Sequence, residues 1–166
     1  MLRVALFVLA FVMPSPSFGE AFSQRHQSWT LSCPDGKDQP TSCIAVASVV
    51  GAGEPDFFVK AFADNGNDGG LKVIFFVSTE AKLLPHISIY VDPDMNGFLA
   101  LQPCTANSCN AVWPLSKQQK AKLFSTEIMI LGHATNTPDC IRTIRIALPT
   151  AGLEQALDEL AKVRVH

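Results

Sequence analysis

Alternation of hydrophobic and polar residues is the first pattern visible along the chain. In WTLSC, Trp29, Leu31 and Cys33 alternate with Thr30 and Ser32, and in HISIYVD apolar residues again occupy every second position. Successive side chains of a strand point to opposite faces of its sheet, so both stretches predict strands with one buried face.

Other stretches predict strands by composition, because they are rich in β-branched and aromatic residues. The run LKVIFFVS, at 71–78, is almost wholly apolar after Lys72, which predicts a strand covered on both faces. Polar or glycine-rich segments separate these stretches and predict turns. The remaining candidate strands are residues 43–50, 57–63, 98–104, 109–115, 127–132 and 141–148.

Two segments follow a helical pattern. In SKQQKAKLF, Ser116 is followed three residues later by Gln119, which is the signature of a capping box at the start of a short helix. In LEQALDEL, apolar residues recur from Leu153 at i, i+3, i+4 and i+7, which predicts an amphipathic helix. About eight short strands with helices at an edge indicate a single all-β domain, either a sandwich or a barrel.

The N-terminus has the layout of a secretory signal peptide. Arg3 precedes an unbroken apolar run at 4–13, and prolines and small residues follow. A membrane-spanning helix needs roughly 20 apolar residues, so this run is too short to be a good anchor. We expect residues 1–21 to be the signal peptide, cleaved after Gly19 or Ala21, and residues 22–166 to form one exported domain.

Charge and hydropathy narrow the possible partners. The formal net charge is −2, whereas nucleic-acid-binding domains favour a basic excess, so no nucleic-acid partner is expected. No later stretch is long and apolar enough to cross a membrane, so no transmembrane segment is expected after signal cleavage.

Export changes how the cysteines are interpreted, because disulfides form and persist in oxidising compartments. The chain has five cysteines, an odd number, so at least one thiol is unpaired or pairs with another chain. Their spacing alone leaves the pairing open. The cysteines are Cys33, Cys43, Cys104, Cys109 and Cys140.

The stretch DPDMNG raises the question of a metal site. Asp92, Asp94, Asn96 and the following glycine fit the opening of a calcium-binding loop. The twelfth residue of such a loop must be an acidic ligand, but here it is Pro103, and a strand pattern precedes the loop where a helix should be. We therefore expect a turn between two strands and no metal, with Asp92, Asp94 and Asn96 as weak candidate ligands for a non-EF-hand calcium site.

No catalytic constellation stands out. His133 lies seven residues before Cys140, but no third group that would orient a Cys–His nucleophile pair is recognisable. Lys117, Lys120 and Lys122 give the first predicted helix a basic patch, which could touch an acidic membrane surface or glycan, but we expect a solvated helix face. We expect no catalytic residue and no cofactor.

Both tryptophans have two possible roles. Trp29 and Trp113 could stack against sugars, but each lies in a predicted strand near a cysteine. Packing in the core is therefore the expected role of both side chains.

An ordered set of stretches resembles the invasion-associated locus B proteins of Gram-negative bacteria. SWTLSC is similar to that family's opening W-x-x-x-C, SCIAV to its second cysteine strand, and LQPCTANSCNAVWPL to its C-x-x-x-x-C pair. LKVIFFVSTEAKLLPHISIYVD and IRIALPTAGLEQALDEL are similar to its central and closing stretches, so the resemblance covers about residues 28–162. The sequence departs from the family in two ways, since His86 replaces the usual glycine after the leucine-proline and Cys140 is an extra cysteine.

The resemblance implies an exported, disulfide-stabilised β-sandwich of immunoglobulin-like shape, to which the pattern above adds a short helix and a C-terminal amphipathic helix. It implies a periplasmic, secreted or outer-membrane-associated location, and it carries over no catalytic residues. It favours the pairs Cys33–Cys43 and Cys104–Cys109, which are also close in sequence and separated by loop-forming residues, and leaves Cys140 as a free thiol.

We therefore expect a non-enzymatic binding or structural module of the cell envelope, with an unknown protein or cell-surface partner. A role in host-cell interaction or invasion follows from the resemblance alone. Two alternatives stay open. One is an envelope thiol-redox enzyme that uses Cys104, Cys109 or Cys140, and the other is a carrier of a small ligand or a metal.

Overall fold

The computed structural model describes residues 21–36, 40–51, 54–66, 68–78, 86–105, 108–136 and 141–165. Within these ranges, strands dominate and two α-helices interrupt them. The elements, in chain order, are β1 (Phe22–His26), β2 (Trp29–Cys33), a 3-10 helix (Pro40–Ser42), β3 (Ile44–Gly51), β4 (Glu54–Asn65), β5 (Leu71–Ser78), β6 (His86–Asp92), β7 (Met95–Ala100), β8 (Ser108–Leu115), α1 (Lys117–Phe124), β9 (Ile128–Asn136), β10 (Ile141–Pro149) and α2 (Leu153–Arg164).

The strands form two antiparallel sheets. The six-stranded sheet has the order β1-β2-β3-β4-β5-β8, and the four-stranded sheet has the order β10-β9-β6-β7. β10 packs against β3, and β7 packs against β8, so the smaller sheet lies across the larger one. This arrangement confirms the predicted β-sandwich.

One continuous apolar core fills the space between the layers. The predicted alternation holds in β2 and β6, because Trp29, Leu31, Ile87 and Ile89 are buried while Tyr90 is exposed. α2 packs against β1 to β4, so the six-stranded sheet is covered partly by the four-stranded sheet and partly by this helix. The buried side of α2 consists of Leu153, Ala156, Leu157 and Leu160, the residues of the predicted apolar stripe.

Both predicted helices form where their sequence signals lie. α1 begins with the predicted capping box: the Ser116 hydroxyl accepts a hydrogen bond from the Gln119 backbone N–H, and the Gln119 side chain accepts one from the Ser116 N–H. Gly152 is the N-cap of α2, and its φ of 90° suits a residue without a side chain.

The strands differ from the predictions in several respects, including the bounds of β4 and β9. The polar stretch after residue 21 forms β1, which pairs with β2 through its backbone and was not predicted. The strand predicted at 98–104 runs from Met95 to Ala100, because the preceding turn uses only residues 93 and 94. β5 is not covered on both faces, since Ile74 and Phe76 are only half-buried.

Two predictions fall on parts of the chain that the structure does not describe. The predicted signal peptide lies outside the described residues except for Ala21, and Cys140 lies outside them as well. In the described part, no helix is both long enough and apolar enough to span a membrane.

Candidate functional site

Exposed apolar side chains concentrate on one surface of the molecule. Tyr90, Phe98, Ile128 and Ile130 are 46%, 74%, 44% and 37% exposed, and all four lie on the side of the four-stranded sheet that faces away from the core. Single exposed apolar residues are ordinary, whereas a group on one face marks a candidate interaction site. We call this surface the outer face and define it by Ser88, Tyr90, Phe98, Ile128, Ile130, Gly132, Thr143 and Arg145.

Strand register determines the neighbours on the outer face. Ser88 pairs with Phe98 on one side and with Gly132 on the other, and Gly132 pairs in turn with Arg145. One row across the sheet therefore runs from an aromatic ring to a guanidinium group. The Phe98 ring also makes an edge-to-face contact with the His86 ring, with 5.1 Å between the ring centroids. Tyr90 pairs with Ile130 in the next row.

A groove lies in the middle of this row, where the residues are small. Gly132 has no side chain, and a Cβ placed there would collide with the Ser88 hydroxyl. That hydroxyl donates a hydrogen bond of 3.1 Å to the Gly132 carbonyl oxygen. The groove has a volume of about 380 Å³, and Tyr90, Ile130, Thr143 and Arg145 form its walls.

The candidate metal-ligating residues form a hairpin turn between β6 and β7. The Asp92 carboxylate accepts hydrogen bonds from the backbone N–H groups of Asp94 and Met95, at 2.9 and 2.8 Å. The Asn96 amide donates to the Pro93 carbonyl oxygen at 2.6 Å. These bonds are those of an Asx-type turn, which aspartate and asparagine favour without any metal.

Lys122 from α1 supplies a positive charge at this turn. Its ammonium nitrogen lies 2.9 Å from Asp92 Oδ2 and 3.1 Å from Asp94 Oδ2. The Lys122 hydrogen bond, aided by the two backbone N–H groups, holds the pKa of Asp92 below its ordinary value. Both carboxylates in turn raise the pKa of Lys122. The Lys122 ammonium thus offsets one of the two carboxylate charges at this turn.

Two of the three lysines of the expected solvated patch on α1 have partners on neighbouring elements, whereas Lys117 is exposed. Lys122 is bound at the β6–β7 turn, and Lys120 donates a hydrogen bond of 2.6 Å to the Asn65 side chain at the end of β4. The prediction missed these two contacts because β4 and the β6–β7 hairpin place acceptors within reach of the helix, which the helix sequence alone does not show.

The structure brings together both cysteine pairs that were expected. Cys33 and Cys43 lie at disulfide distance, and so do Cys104 and Cys109, with 4.1 Å between the Cα atoms in each pair. Cys33, Cys43 and Cys109 are buried, whereas Cys104 is exposed. His133 belongs to β9, but its predicted neighbour Cys140 lies outside the described residues.

A second cavity of about 560 Å³ lies where α1, β9, β10 and α2 meet. Its lining includes the carboxyl-bearing residues Glu127 and Glu154 beside the first turn of α2. In the described part of the chain, no group of three or more histidine, cysteine, aspartate or glutamate side chains converges on one point. We place the candidate site on the outer face because apolar, cationic and hydroxyl groups meet there.

Comparison with known proteins identifies the family. The family model described as Invasion associated locus B (IalB) protein matches residues 29–161. The chain belongs to the invasion associated locus B family. The match begins at Trp29 and ends within α2, so it spans both sheets and confirms the resemblance seen in the sequence.

A solved structure has the same fold as this family member. The crystal structure of invasion associated protein B from Bartonella henselae superposes with a TM-score of 0.70 at 15% sequence identity. The superposition covers 87% of this chain and 99% of that chain. At this identity the similarity establishes the fold alone. No curated protein matches the sequence of this chain.

Sequence reasoning missed most of the outer face of this family member. It placed Tyr90 outward, but Ile128 and Ile130 lie in EIMILG, where every residue between Glu127 and Gly132 is apolar. Alternation cannot separate the two faces of such a strand, because inward and outward positions look alike. The register with β6 distinguishes them in the structure: Met129 and Leu131 are buried, and Ile128 and Ile130 are exposed.

Proposed function

We propose that this member of the invasion associated locus B family is an exported protein of the cell envelope that binds a protein or cell-surface partner without catalysis. The outer face of the four-stranded sheet is the proposed binding surface. The observation that carries the proposal is the group of exposed apolar side chains on this one face, Tyr90, Phe98, Ile128 and Ile130.

The physical argument is the cost of leaving such a surface in water. Burial of apolar surface contributes roughly 25 cal/mol per Å², and contiguous exposed patches of this kind commonly mark interaction sites. The face also offers Arg145 and aromatic rings, and arginine and aromatic residues are enriched at protein interfaces. Rigid strands hold these groups in place, as a preorganised binding surface requires.

Export is supported by the sequence of residues 1–21 and by the two cysteine pairs at disulfide distance. We expect the protein in the periplasmic, secreted or outer-membrane fraction, with an N-terminus created by cleavage after Gly19 or Ala21. Cell fractionation followed by N-terminal sequencing tests this. Recovery of most of the protein in the cytoplasm with residues 1–21 intact would contradict export.

Binding is tested with a variant that removes two apolar side chains from the outer face. The double variant Phe98→Ser/Ile130→Ser is compared with Val165→Ser, which removes an apolar side chain that is 83% exposed at the end of α2. Labelled mature proteins are incubated with envelope fractions of the producing cell and with animal cells. We expect the double variant to lose most of the retention that the wild type shows on either surface, and Val165→Ser to retain it.

Two results would contradict the proposed function. Equal retention of the wild type and the double variant would exclude the outer face as the binding surface. Turnover in a thiol-exchange assay that depends on one cysteine would instead support the envelope redox enzyme that the sequence leaves open. Thermal unfolding of every variant shows whether a loss of retention is caused by a loss of folding.

A further inference from the structure

The groove on the outer face has the size of a small-ligand site. Its volume of about 380 Å³ is within the range of roughly 300–1,000 Å³ that is usual for ligand pockets. Its floor is the Ser88 hydroxyl and the Gly132 backbone, which two neighbouring strands hold in direct register. The groove therefore exists because the sheet has its smallest side chains at this point.

Opposite walls of the groove differ in chemistry. Tyr90 and Ile130 form one wall and offer an aromatic ring and an aliphatic side chain. Thr143 and Arg145 form the other wall, where both side chains are exposed. No carboxylate of the described residues forms an ion pair with Arg145. Its guanidinium group is thus available to an external anion, and its planar fork matches a carboxylate in a bidentate arrangement.

Hydroxyl groups provide the third element of the groove. Ser88, Tyr90 and Thr143 all line it, and each hydroxyl can donate one hydrogen bond and accept others. Ser88 donates to the Gly132 carbonyl oxygen, so its oxygen lone pairs remain as acceptors for a ligand hydroxyl. A purely apolar ligand would leave these groups without partners, which costs binding free energy.

We propose that the groove binds an acidic sugar residue, such as a uronic acid, within a surface glycan. The carboxylate of the sugar pairs with Arg145, its C–H face packs against Tyr90 and Ile130, and its hydroxyls bond with Ser88 and Thr143. The groove is an open trough on a sheet face, so a saccharide chain can continue beyond it. This assignment rests on the proposed function and specifies the chemistry of the cell-surface partner.

The test is a ligand titration of the isotopically labelled mature protein, in which binding is measured from the shifts of the amide NMR signals. The probes are glucuronate, glucose and benzoate, which separate the carboxylate from the sugar ring. We expect glucuronate to shift the amides of Ser88, Tyr90, Gly132 and Arg145 with a millimolar dissociation constant, and to bind at least tenfold more tightly than the other two probes. Loss of a charge-assisted hydrogen bond in Arg145→Gln should weaken glucuronate binding by about tenfold to a hundredfold.

Matched variants assign the effect to the groove. Arg25→Gln removes the charge of an exposed arginine on β1 and should leave glucuronate binding unchanged. Tyr90→Phe keeps the aromatic ring and should bind within a few-fold of the wild type, whereas Tyr90→Ala should bind at least tenfold more weakly. These substitutions replace exposed side chains, and unchanged amide spectra elsewhere show that the fold is retained.

Several outcomes would overturn the assignment. Absence of glucuronate shifts in the groove would exclude the acidic sugar, and equal binding of glucose would exclude the role of Arg145. Tighter binding of benzoate than of glucuronate would show that the groove prefers an aromatic acid to an acidic sugar. If the NMR signals of the outer-face amides broaden as the protein concentration rises, the outer face binds a second copy of this chain instead. If Phe98→Ser/Ile130→Ser still loses surface retention while glucuronate does not bind, the proposed function survives and only the acidic sugar fails.

Discussion

Lys122 determines the electrostatics of the β6–β7 turn at the scale of single residues. Its ammonium group contacts Asp92 and Asp94, two side chains that in the sequence resemble the start of a calcium loop. The turn was predictable, because Asp, Pro, Asn and Gly each favour turns for a backbone reason. The contact with Lys122 was not predictable, because this residue belongs to α1 and reaches the turn only in the folded chain.

The first prediction concerns the pH dependence of this ion pair. Because the folded state lowers the pKa of Asp92, the ion pair stabilises the protein above the ordinary pKa of 3.8 and loses this effect as pH falls through the lowered value. In Lys122→Met we expect the pKa of Asp92 to rise toward its ordinary value. The melting temperature of the variant should be slightly lower than that of the wild type near neutral pH, with a difference that shrinks as the pH falls below 3.8 and through the lowered pKa of Asp92.

Carboxyl-detected NMR titration and thermal unfolding measure these two quantities. Lys162→Met is the matched control, because it breaks the exposed pair with Glu159 and leaves the β6–β7 turn intact. An Asp92 pKa that is the same in the wild type and in Lys122→Met would show that the backbone N–H groups alone lower it.

The second prediction concerns calcium. We expect calorimetry on the mature protein to show no calcium binding in the micromolar range, for two reasons. Pro103 stands where the bidentate acid of a calcium loop belongs, and the Lys122 ammonium already contacts both carboxylates of the turn. Micromolar binding that disappears in Asp94→Ala would reverse this interpretation.

At the scale of elements, α2 shows how a turn aligns a helix with a sheet. The Ser28 backbone N–H donates to the Ala151 carbonyl oxygen at 3.2 Å, and the Trp29 indole N–H donates to the Pro149 carbonyl oxygen at 3.0 Å. These bonds join the β10–α2 turn to the β1–β2 hairpin. Gly152 follows Ala151 in this turn, and a Cβ at this position would collide with the His26 carbonyl oxygen.

The third prediction therefore compares two glycines. Gly152→Ala combines a left-handed backbone conformation with a steric collision, so we expect it to lower the free energy of unfolding by about 1–3 kcal/mol. Gly97→Ala is the control, because a Cβ there meets no atom within 4 Å, and its effect should stay within about 0.5 kcal/mol. Denaturant unfolding measures both. Equal losses of unfolding free energy in the two variants would mean that the backbone near His26 shifts to make room for the added Cβ without an energetic cost.

Local signals account for the elements that sequence predicted well. A capping box marked α1, an i, i+3, i+4 stripe marked α2, and alternation marked β2 and β6. β1 escaped prediction because most of its side chains are polar or exposed, and its pairing with β2 depends on backbone hydrogen bonds that any residue type can form. The start of β7 was misplaced because the turn before it has only two residues, whereas the prediction assumed a longer loop.

At the scale of the whole molecule, the sandwich was predictable, but its strand order was not. Strand count and turn spacing indicated two packed sheets or a barrel. β8 pairs with β5 in the larger sheet and not with β7, which precedes it in the chain. No local sequence pattern specifies this pairing. The exposed apolar character of the outer face follows from that order and from register, so the candidate site became visible only in the folded structure.

The disulfides connect this fold to the compartment in which it is expected to act. We expect Cys33–Cys43 and Cys104–Cys109 in the mature protein, with Cys140 unpaired. Each bridge closes a short loop, with sequence separations of 10 and 5, so each contributes about 2–3 kcal/mol in the chain-entropy model. We expect them to hold the end of β2 and the start of β8 to neighbouring segments.

The last prediction uses the different exposure of the two bridges. Thiol–disulfide exchange requires access to a sulfur atom, and Cys104 is exposed whereas Cys33 and Cys43 are buried in the core. Limited reduction of the native protein, followed by alkylation and peptide mapping, should therefore label Cys104 and Cys109 first. Cys33 and Cys43 should react only when the protein unfolds, because their exposure requires opening of the core beneath α2. Simultaneous labelling of all four would indicate that the core opens freely, and a non-reduced peptide linking Cys140 to any of them would overturn the pairing itself.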